Sequence, residues 1–431
     1  GQGVMDAAMV EAAAYVLDRT TPKSNMTVFR AIADEDRQHS LNNCLGAYRR
    51  GESEHRLFIT NQQTFNLLPD APFVYWIDAE TISQLNTGSN FEPDVGQVRV
   101  GLQTGDDPRF VRTTWEVRCE DTLFCYYPSN GEPFCRFDDP IVQAYFNRRH
   151  KGIEKWAFHV KSGASRPWYS PITLKLNYAQ KGAELRNFKN SKGKLKSALR
   201  STAMYHRPGL SWTRRAFRFF PYAIPSNCIP SVSRYMAYPK PDRLAESLGV
   251  FASKISSAFM RFYGEVFQRP NYLVDTVKSM PWPTLSIDTN LKLKVIIDKE
   301  LQARRLTYQN HEPFHDFLIP AIIDNRPHGA HSIAFNELSL IGSEAELEIA
   351  KSYGLNKQQI QIIERDLKEA ISYIRGPDKI SDDTTASDED ADFVLDYSPV
   401  AQAEAQISYL LGCPLGRWDI RYATGERQPP E

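Results

Sequence analysis

Apolar positions along this chain fall into three regimes. Near the N-terminus, Val4–Leu17 is an Ala-rich apolar segment with Asp6 and Glu11 as its only charges, and it reads as the interior of a larger unit. Three short β-rich runs follow, Met26–Ala31, His55–Thr60 and Phe73–Ile77, each bounded by polar loops. They suit the trailing edge of an α/β domain. Ser83–Val95, with Asn86, Gly88, Asn90, Pro93 and Asp94, has the composition of a linker. From Gly101 to Pro283 strand-like runs alternate with Gly and Pro turns. Near the end of that region, Leu244, Leu248, Phe251, Ile255, Phe259, Phe262 and Val266 recur at helical spacing, predicting a core-facing helix over Arg243–Phe267.

The third regime is helical. Ser343-Glu-Ala-Glu346 is a capping box that opens a helix to Tyr353. Asn356 caps another, with Ile360, Ile363, Leu367, Ile371 and Ile374 on one face and Gly376-Pro377 as its stop. Ser381–Asp396 holds seven acids, too many to bury, and predicts an acidic linker within 377–400. Ala401–Leu411 predicts a last helix, followed by Gly412-Cys-Pro-Leu-Gly-Arg-Trp418. The fold class expected is therefore α+β and multidomain. It comprises the end of an α/β domain over 1–95, a mixed α/β domain over 96–290 and a helical C-terminal domain over 291–431.

At 431 residues and 42% apolar composition the chain has ample material for a packed core. Its six cysteines include no Cys-x-x-Cys pair and no His at zinc-like spacing, which argues for reduced thiols. No leader-like segment opens the chain and no apolar stretch is long enough to span a membrane, so a cytoplasmic protein is expected, without a membrane partner.

Charge changes this picture. The chain carries 52 basic and 52 acidic residues, yet between Tyr145 and Phe220 there are 18 Lys or Arg against two acids, Glu154 and Glu184. That block is at +16 and the remainder at −16. Such segregation points to a polyanion, because each phosphate neutralised releases condensed counterions. Aromatic and hydroxyl residues interleave with the cations in Lys155-Trp156, in Arg166-Pro-Trp168-Tyr169 and in Arg207-Pro-Gly-Leu-Ser-Trp212-Thr213-Arg214-Arg215. Arg bonds phosphates or guanine edges bidentately, hydroxyls hold phosphate oxygens, and rings stack on bases. These residue types do not distinguish DNA from RNA.

Other constellations carry less. Gly193-Lys194 lacks the flanking residues of a phosphate loop, leaving Ser191–Ser197 as a solvated basic turn. Pro313 between His311 and His315 spoils a helical metal pair, and Asp298 with Glu300 reads as exposed charge on an amphipathic run. No metal and no acid/base pair is expected.

The run Gly101-Leu-Gln-Thr104-Gly105-Asp-Asp107-Pro-Arg109-Phe110 resembles the Gly-x-x-Thr-Gly-x-Asn-x-x-Phe signature that opens the target-recognition domain of adenine-specific DNA methyltransferases. It is most similar to the large single-chain enzymes of the phage-growth-limitation type and to fused type II restriction-modification enzymes. Lys155-Trp156 through Arg166-Pro-Trp168-Tyr169, Arg207–Arg214, Val277–Pro283 and Ile407–Arg417 resemble further segments of that group in the same order. Two departures stand out: Asp107 replaces the family Asn, and Ser162-Gly163 replaces Gly-Gly. The family's Gly-rich turn for S-adenosylmethionine and its (Asn/Asp)-Pro-Pro-(Tyr/Phe) motif are both missing, since Asp139-Pro140 is followed by Ile141.

The resemblance implies the DNA-recognition part of an adenine-N6 methyltransferase, inactive alone, in a restriction-modification or phage-defence system. The complete enzyme would use S-adenosylmethionine; this chain alone would bind no cofactor. Its partners would be double-stranded DNA, a catalytic half in the same or another polypeptide, and other defence-system proteins. No catalytic residue is expected here. Lys155, Lys161, Arg166, Arg207, Thr213, Arg214 and Arg215 are expected at phosphates or bases. Trp168, Tyr169 and Trp212 are expected to stack on bases or to scaffold the loops, and Thr104, Gly105 and Arg109 to contact DNA from the opening strand. A specificity subunit that never had a catalytic half, and an RNA-binding protein, are the alternatives.

Overall fold

A computed structural model describes residues 25–30, 36–68, 70–118, 121–122, 155–161, 168–216, 218–263, 271–308, 310–315, 317, 319–323, 343–375 and 398–426, together with Val16 and Arg19. The acidic segment lies almost entirely outside them, as do Val4–Tyr15, Leu17 and Arg166.

The first two predicted strands form. β1 (Asn25–Phe29) pairs antiparallel with β2 (Leu57–Asn61), with Val28 opposite Phe58. The helix Arg37–Arg50 joins them. Its N-terminus is capped by the Asp36 carboxylate, which accepts the His39 N–H at 2.8 Å, and its last turn carries Arg49 and Arg50.

Phe73–Ile77 is not a strand. Asp70 and Ala71 take positive φ before Pro72, and this turn sends Val74 and Ile77 into the core without a neighbouring strand to pair with. Nor is Ser83–Val95 a linker: it holds the end of the helix Ala79–Leu85 and a helical turn at Phe91–Val95, with Leu85, Phe91 and Val95 fully buried. The polar residues there serve local caps. Asp94 accepts from Ser89 Oγ at 2.9 Å and from Asn90 N–H at 3.0 Å, while Phe91 N–H donates to Met280 O and Trp282 N–H to Ser89 O.

Two sheets occupy the middle of the molecule. One has the order β10-β5-β7-β4, built from Cys228–Pro230, Trp156–Val160, Leu174–Asn177 and Val111–Thr113. The other has the order β3-β11-β8-β9-β6, built from Gly96–Arg99, Arg234–Pro239, Gly209–Thr213, Tyr222–Ile224 and Trp168–Tyr169. Both sheets mix parallel and antiparallel pairs.

Strand alternation stacks them. Met236 and Tyr238 of β11 and Tyr222 and Ile224 of β9 share a cluster with Phe158 and Val160 of β5. The intervening residues Ala237, Ala223, Leu210 and Trp212 face a helical layer instead.

The predicted helix over Arg243–Phe267 is two helices, Leu244–Ala252 and Lys254–Phe262. Ser253 ends the first and caps the second, its Oγ accepting the Ser256 N–H at 3.1 Å, a side-chain competition that interrupts the helical ladder. Against this pair pack the helix Ile287–Tyr308, the helix over 343–352 and the helix Lys357–Arg375. Within Ile287–Tyr308, Leu293, Ile297 and Leu301 are buried and Glu300 lies with them in the interior, so the expectation that Glu300 is exposed is corrected. Asp298 is also partly enclosed, and burial pushes its carboxyl above the usual range. The last helix, Pro399–Gly412, forms as predicted, capped by Ser398.

One apolar cluster runs from Leu68 to Leu367 and includes residues on both sides of positions 95 and 290. The result is an α+β protein with a helical C-terminal stretch. Trp212 sits in this core among Phe219, Tyr235 and Phe251, with its indole N–H donating to Tyr272 O at 3.2 Å. Trp212→Ala is expected to cost about 3–5 kcal/mol, read as a lowered urea midpoint.

Candidate nucleic-acid interface

The Gly101–Phe110 signature forms a seam between two backbones. Leu102 N–H donates to Pro230 O at 2.8 Å and Leu102 O accepts from Val232 N–H. On the other side Gln103 exchanges both backbone bonds with Ala198, at 2.9 and 2.8 Å. Gly105 has φ +75°, and a Cβ there would lie 2.5 Å from Lys196 O, so only glycine allows both the turn and the approach. Asp106 then caps a short turn, Asp107–Phe110, which leads into β4.

Asp107 organises one end of the sheets. Its carboxylate accepts from Thr104 Oγ1 and pairs with Lys161, which follows β5 directly. Lys161 is partly buried, and desolvation lowers its ammonium pKa below the ordinary lysine range. Arg234, buried at the start of β11, donates to Lys161 O at 3.2 Å and to Thr213 Oγ1 at the end of β8. Arg214 follows with its guanidinium on Asn271 Oδ1 at 3.0 Å and over the Tyr235 ring, and Arg215 beside it is exposed. Thr104, Lys161, Thr213, Arg214 and Arg215 therefore collect at this end, with Gly105 supporting them.

Lys155 and Arg207 do not join them. Lys155 precedes β5 and Lys161 follows it, a separation of about 20 Å at the ordinary strand rise. Arg207 likewise precedes β8, whereas Arg214 follows it. Both are exposed near Tyr178, which donates its N–H to Lys155 O and whose ring lies 5.7 Å from that of His206. Arg109 is committed to an ion pair, with Nη2 2.8 Å from Glu184 Oε1. Arg166 lies outside the described residues.

The aromatic expectation divides the same way. Trp168 and Tyr169 form β6, and Tyr169 stacks on Tyr308 at 5.6 Å and on His315 at 5.8 Å. Like Trp212, both are buried, so these three rings scaffold the sheets and present no face for a base to stack on.

Cations outside the expected set are better placed. Residues 187–198 fold back on themselves: Lys196 N–H donates to Phe188 O, Asn190 N–H to Lys194 O, and Asn190 Oδ1 accepts from Lys192 and Lys194 N–H at 3.0 and 2.9 Å. Lys189, Lys192 and Lys194 are exposed, as is Lys196 although its ammonium lies against the hairpin's own base. Phe188 roots this hairpin, packing on Phe110 at 5.2 Å with Arg109 and Lys196 over its ring at 4.9 and 4.8 Å. The signal in the sequence is Asn190 and Gly193 between lysines, a turn composition that looks unstructured without its anchor.

Among the described residues no group of three or more His, Cys, Asp or Glu could hold a metal ion, and no helix is long and apolar enough to cross a membrane. The Glu312 carboxylate accepts from Ser408 Oγ at 2.6 Å and Trp418 Nε1 at 2.8 Å, and His315 Nδ1 accepts the Ile172 N–H. Burial holds the imidazole of His159 down at about 4, so this histidine is neutral.

No family model matches the chain. It is 19% identical over 416 residues to the adenine-specific methyltransferase PglX of Lacticaseibacillus casei (strain Zhang), covering 96% of this chain and 32% of that protein. It is 26% identical over 213 residues to the adenine-specific methyltransferase BrxX of Escherichia coli O9:H4 (strain HS), covering 49% of this chain and 14% of that protein. The chain is thus a distant relative of adenine-specific methyltransferases and spans about a third or less of the length of the curated relatives it matches. A solved structure of the type IIL restriction-modification enzyme MmeI in complex with DNA aligns with 64% of this chain and 36% of its own, at 13% identity and a TM-score of 0.36, a likeness too slight to build on.

Gly105→Ala combines strain at positive φ with a clash against the Lys196 carbonyl. It is expected to lower the thermal midpoint and to expose 187–198 to limited proteolysis, with new cleavage confined to that segment.

Proposed function

We propose that this chain is the DNA-recognition portion of a SAM-dependent adenine-N6 DNA methyltransferase working in a restriction-modification or phage-defence system. The observation that carries the reading is the match to an adenine-specific methyltransferase along 96% of the chain. The cation-rich end built on the Gly101–Phe110 signature supports it. There Arg214 and Arg215 stand at the mouth of β8 on a rigid sheet, the arrangement suited to gripping a duplex backbone and presenting guanidinium groups to base edges.

The described residues do not fit the methyl donor. The described N-terminal part offers one antiparallel strand pair, not a strand entering a Gly-rich turn, and the helix that follows β1 is capped by the Asp36 carboxylate. On this reading base extrusion and methyl transfer belong to a catalytic half on the same or another polypeptide. The role of this chain is to bind, orient and select the duplex.

Two measurements test the reading. Changing Arg214 and Arg215 to Ala is expected to weaken duplex binding and to flatten its dependence on salt by roughly one unit of slope for each phosphate that is no longer neutralised. Unchanged binding sinks the assignment of these residues. The purified chain with S-adenosylmethionine and DNA is expected to transfer no methyl group until a catalytic partner is supplied, and transfer by the chain alone refutes the division of labour.

A further inference from the structure

Ion pairing separates the cations of the basic block into two kinds. Arg109 is held by Glu184 and Lys161 by Asp107, so each must give up a carboxylate before it engages a phosphate. Between Leu185 and Arg200 there are six cations, Arg186, Lys189, Lys192, Lys194, Lys196 and Arg200, and no acid at all. Among the described residues Lys189, Lys192, Lys194 and Lys196 have no carboxylate partner.

These lysines are mounted on a defined scaffold. Lys189 bridges Leu195 across the hairpin, Gly193 turns it at φ +76°, and the base is fixed by the Gln103–Ala198 pair and by Ser197 Oγ, which donates to Leu185 O inside the protein. The close approach of Gly105 to Lys196 joins the hairpin directly to the recognition signature.

We propose that the hairpin 187–198 is a phosphate-gripping element for duplex DNA, with Lys192 and Lys194 at its tip as its principal contacts. The inference rests on the DNA-recognition reading above and adds to it a site outside the cation–aromatic segments. The hairpin is a narrow turn closed by a single β-bridge, and its exposed ammonium groups are free to approach the phosphates that line a groove. Lysine is a point charge without a bidentate fork, so these groups hold the duplex without reading its sequence.

Lys192→Gln with Lys194→Gln in the full 431-residue chain provides the test. Both side chains are exposed and the turn is closed by Asn190, so the thermal midpoint should not move. Duplex binding, followed by fluorescence anisotropy across a salt series, should lose about 1.8 units of the log Kobs against log[salt] slope, about 0.9 for each phosphate. The loss should be equal for duplexes of unrelated sequence, and a structured RNA should remain the weaker ligand before and after substitution. If duplex binding and slope are unchanged while the Arg214/Arg215 variant is impaired, the hairpin proposal fails and the broader reading stands. A parent chain that binds no duplex, or that prefers the RNA, overturns both.

Discussion

The structure depends on a pair of helices that has no solvent face. Every residue from Leu244 to Ala252 is buried, and so is the next helix from Ile255 to Phe262. A helix enclosed on all sides must find partners in every direction. Here the five-stranded sheet supplies one side, the helices Ile287–Tyr308 and Lys357–Arg375 the other, and Phe91 and Trp282 close the end against Phe251. Glu246 is admitted to this interior because Arg243, the Trp282 indole and Asn290 all donate to it. The sheet carrying the candidate interface is thereby set on a broad, interlocked base.

That base explains why the aromatic residues of the basic block turn inward. Trp168, Tyr169 and Trp212 lie on strands whose alternate residues must cover the central helices, and a sheet covered on both faces has no strand position left for an exposed ring. The cations escape to the strand ends and to the loops between them. The side chains that could meet a partner therefore sit at the rim of a sheet fixed by the core beneath.

Much of this is legible in the chain, for identifiable reasons. The helix announced by a cap at Asn356 forms where expected because capping is a local interaction, and the helices predicted from Ser343 and over Ala401–Leu411 form as well. The hydrophobic stripe from Leu244 to Phe262 is core, as its spacing predicts, but Ser253 gives no sign that it serves as stop and cap together. Ser83–Val95 misleads because turn residues look alike whether they join domains or close a loop over Phe91; only Met280 and Trp282, nearly two hundred residues away, decide between the two. The same blindness affects the candidate site. The charge imbalance marks its region, yet which cations meet carboxylates depends on pairs such as Arg109 with Glu184, 75 residues apart.

Asp107 is where these themes meet. In the resembled signature an Asn occupies this position, and an amide would accept from Thr104 as Asp107 does without drawing Lys161 into an ion pair. With the carboxylate in place, one cation of the strand-end cluster is neutralised and a negative charge faces any phosphate that approaches it. Such a partly exposed pair is worth at most about 1 kcal/mol, so a phosphate can compete for Lys161, but it gains less there than at an unpaired lysine. In the proposed complex the electrostatic attraction therefore shifts toward groups free of carboxylates, Arg215 and the hairpin lysines, leaving Asp107 to fix the geometry of Thr104 and Lys161. On the proposed reading, a surface divided in this way would attract a duplex through its free charges and align it through its paired ones.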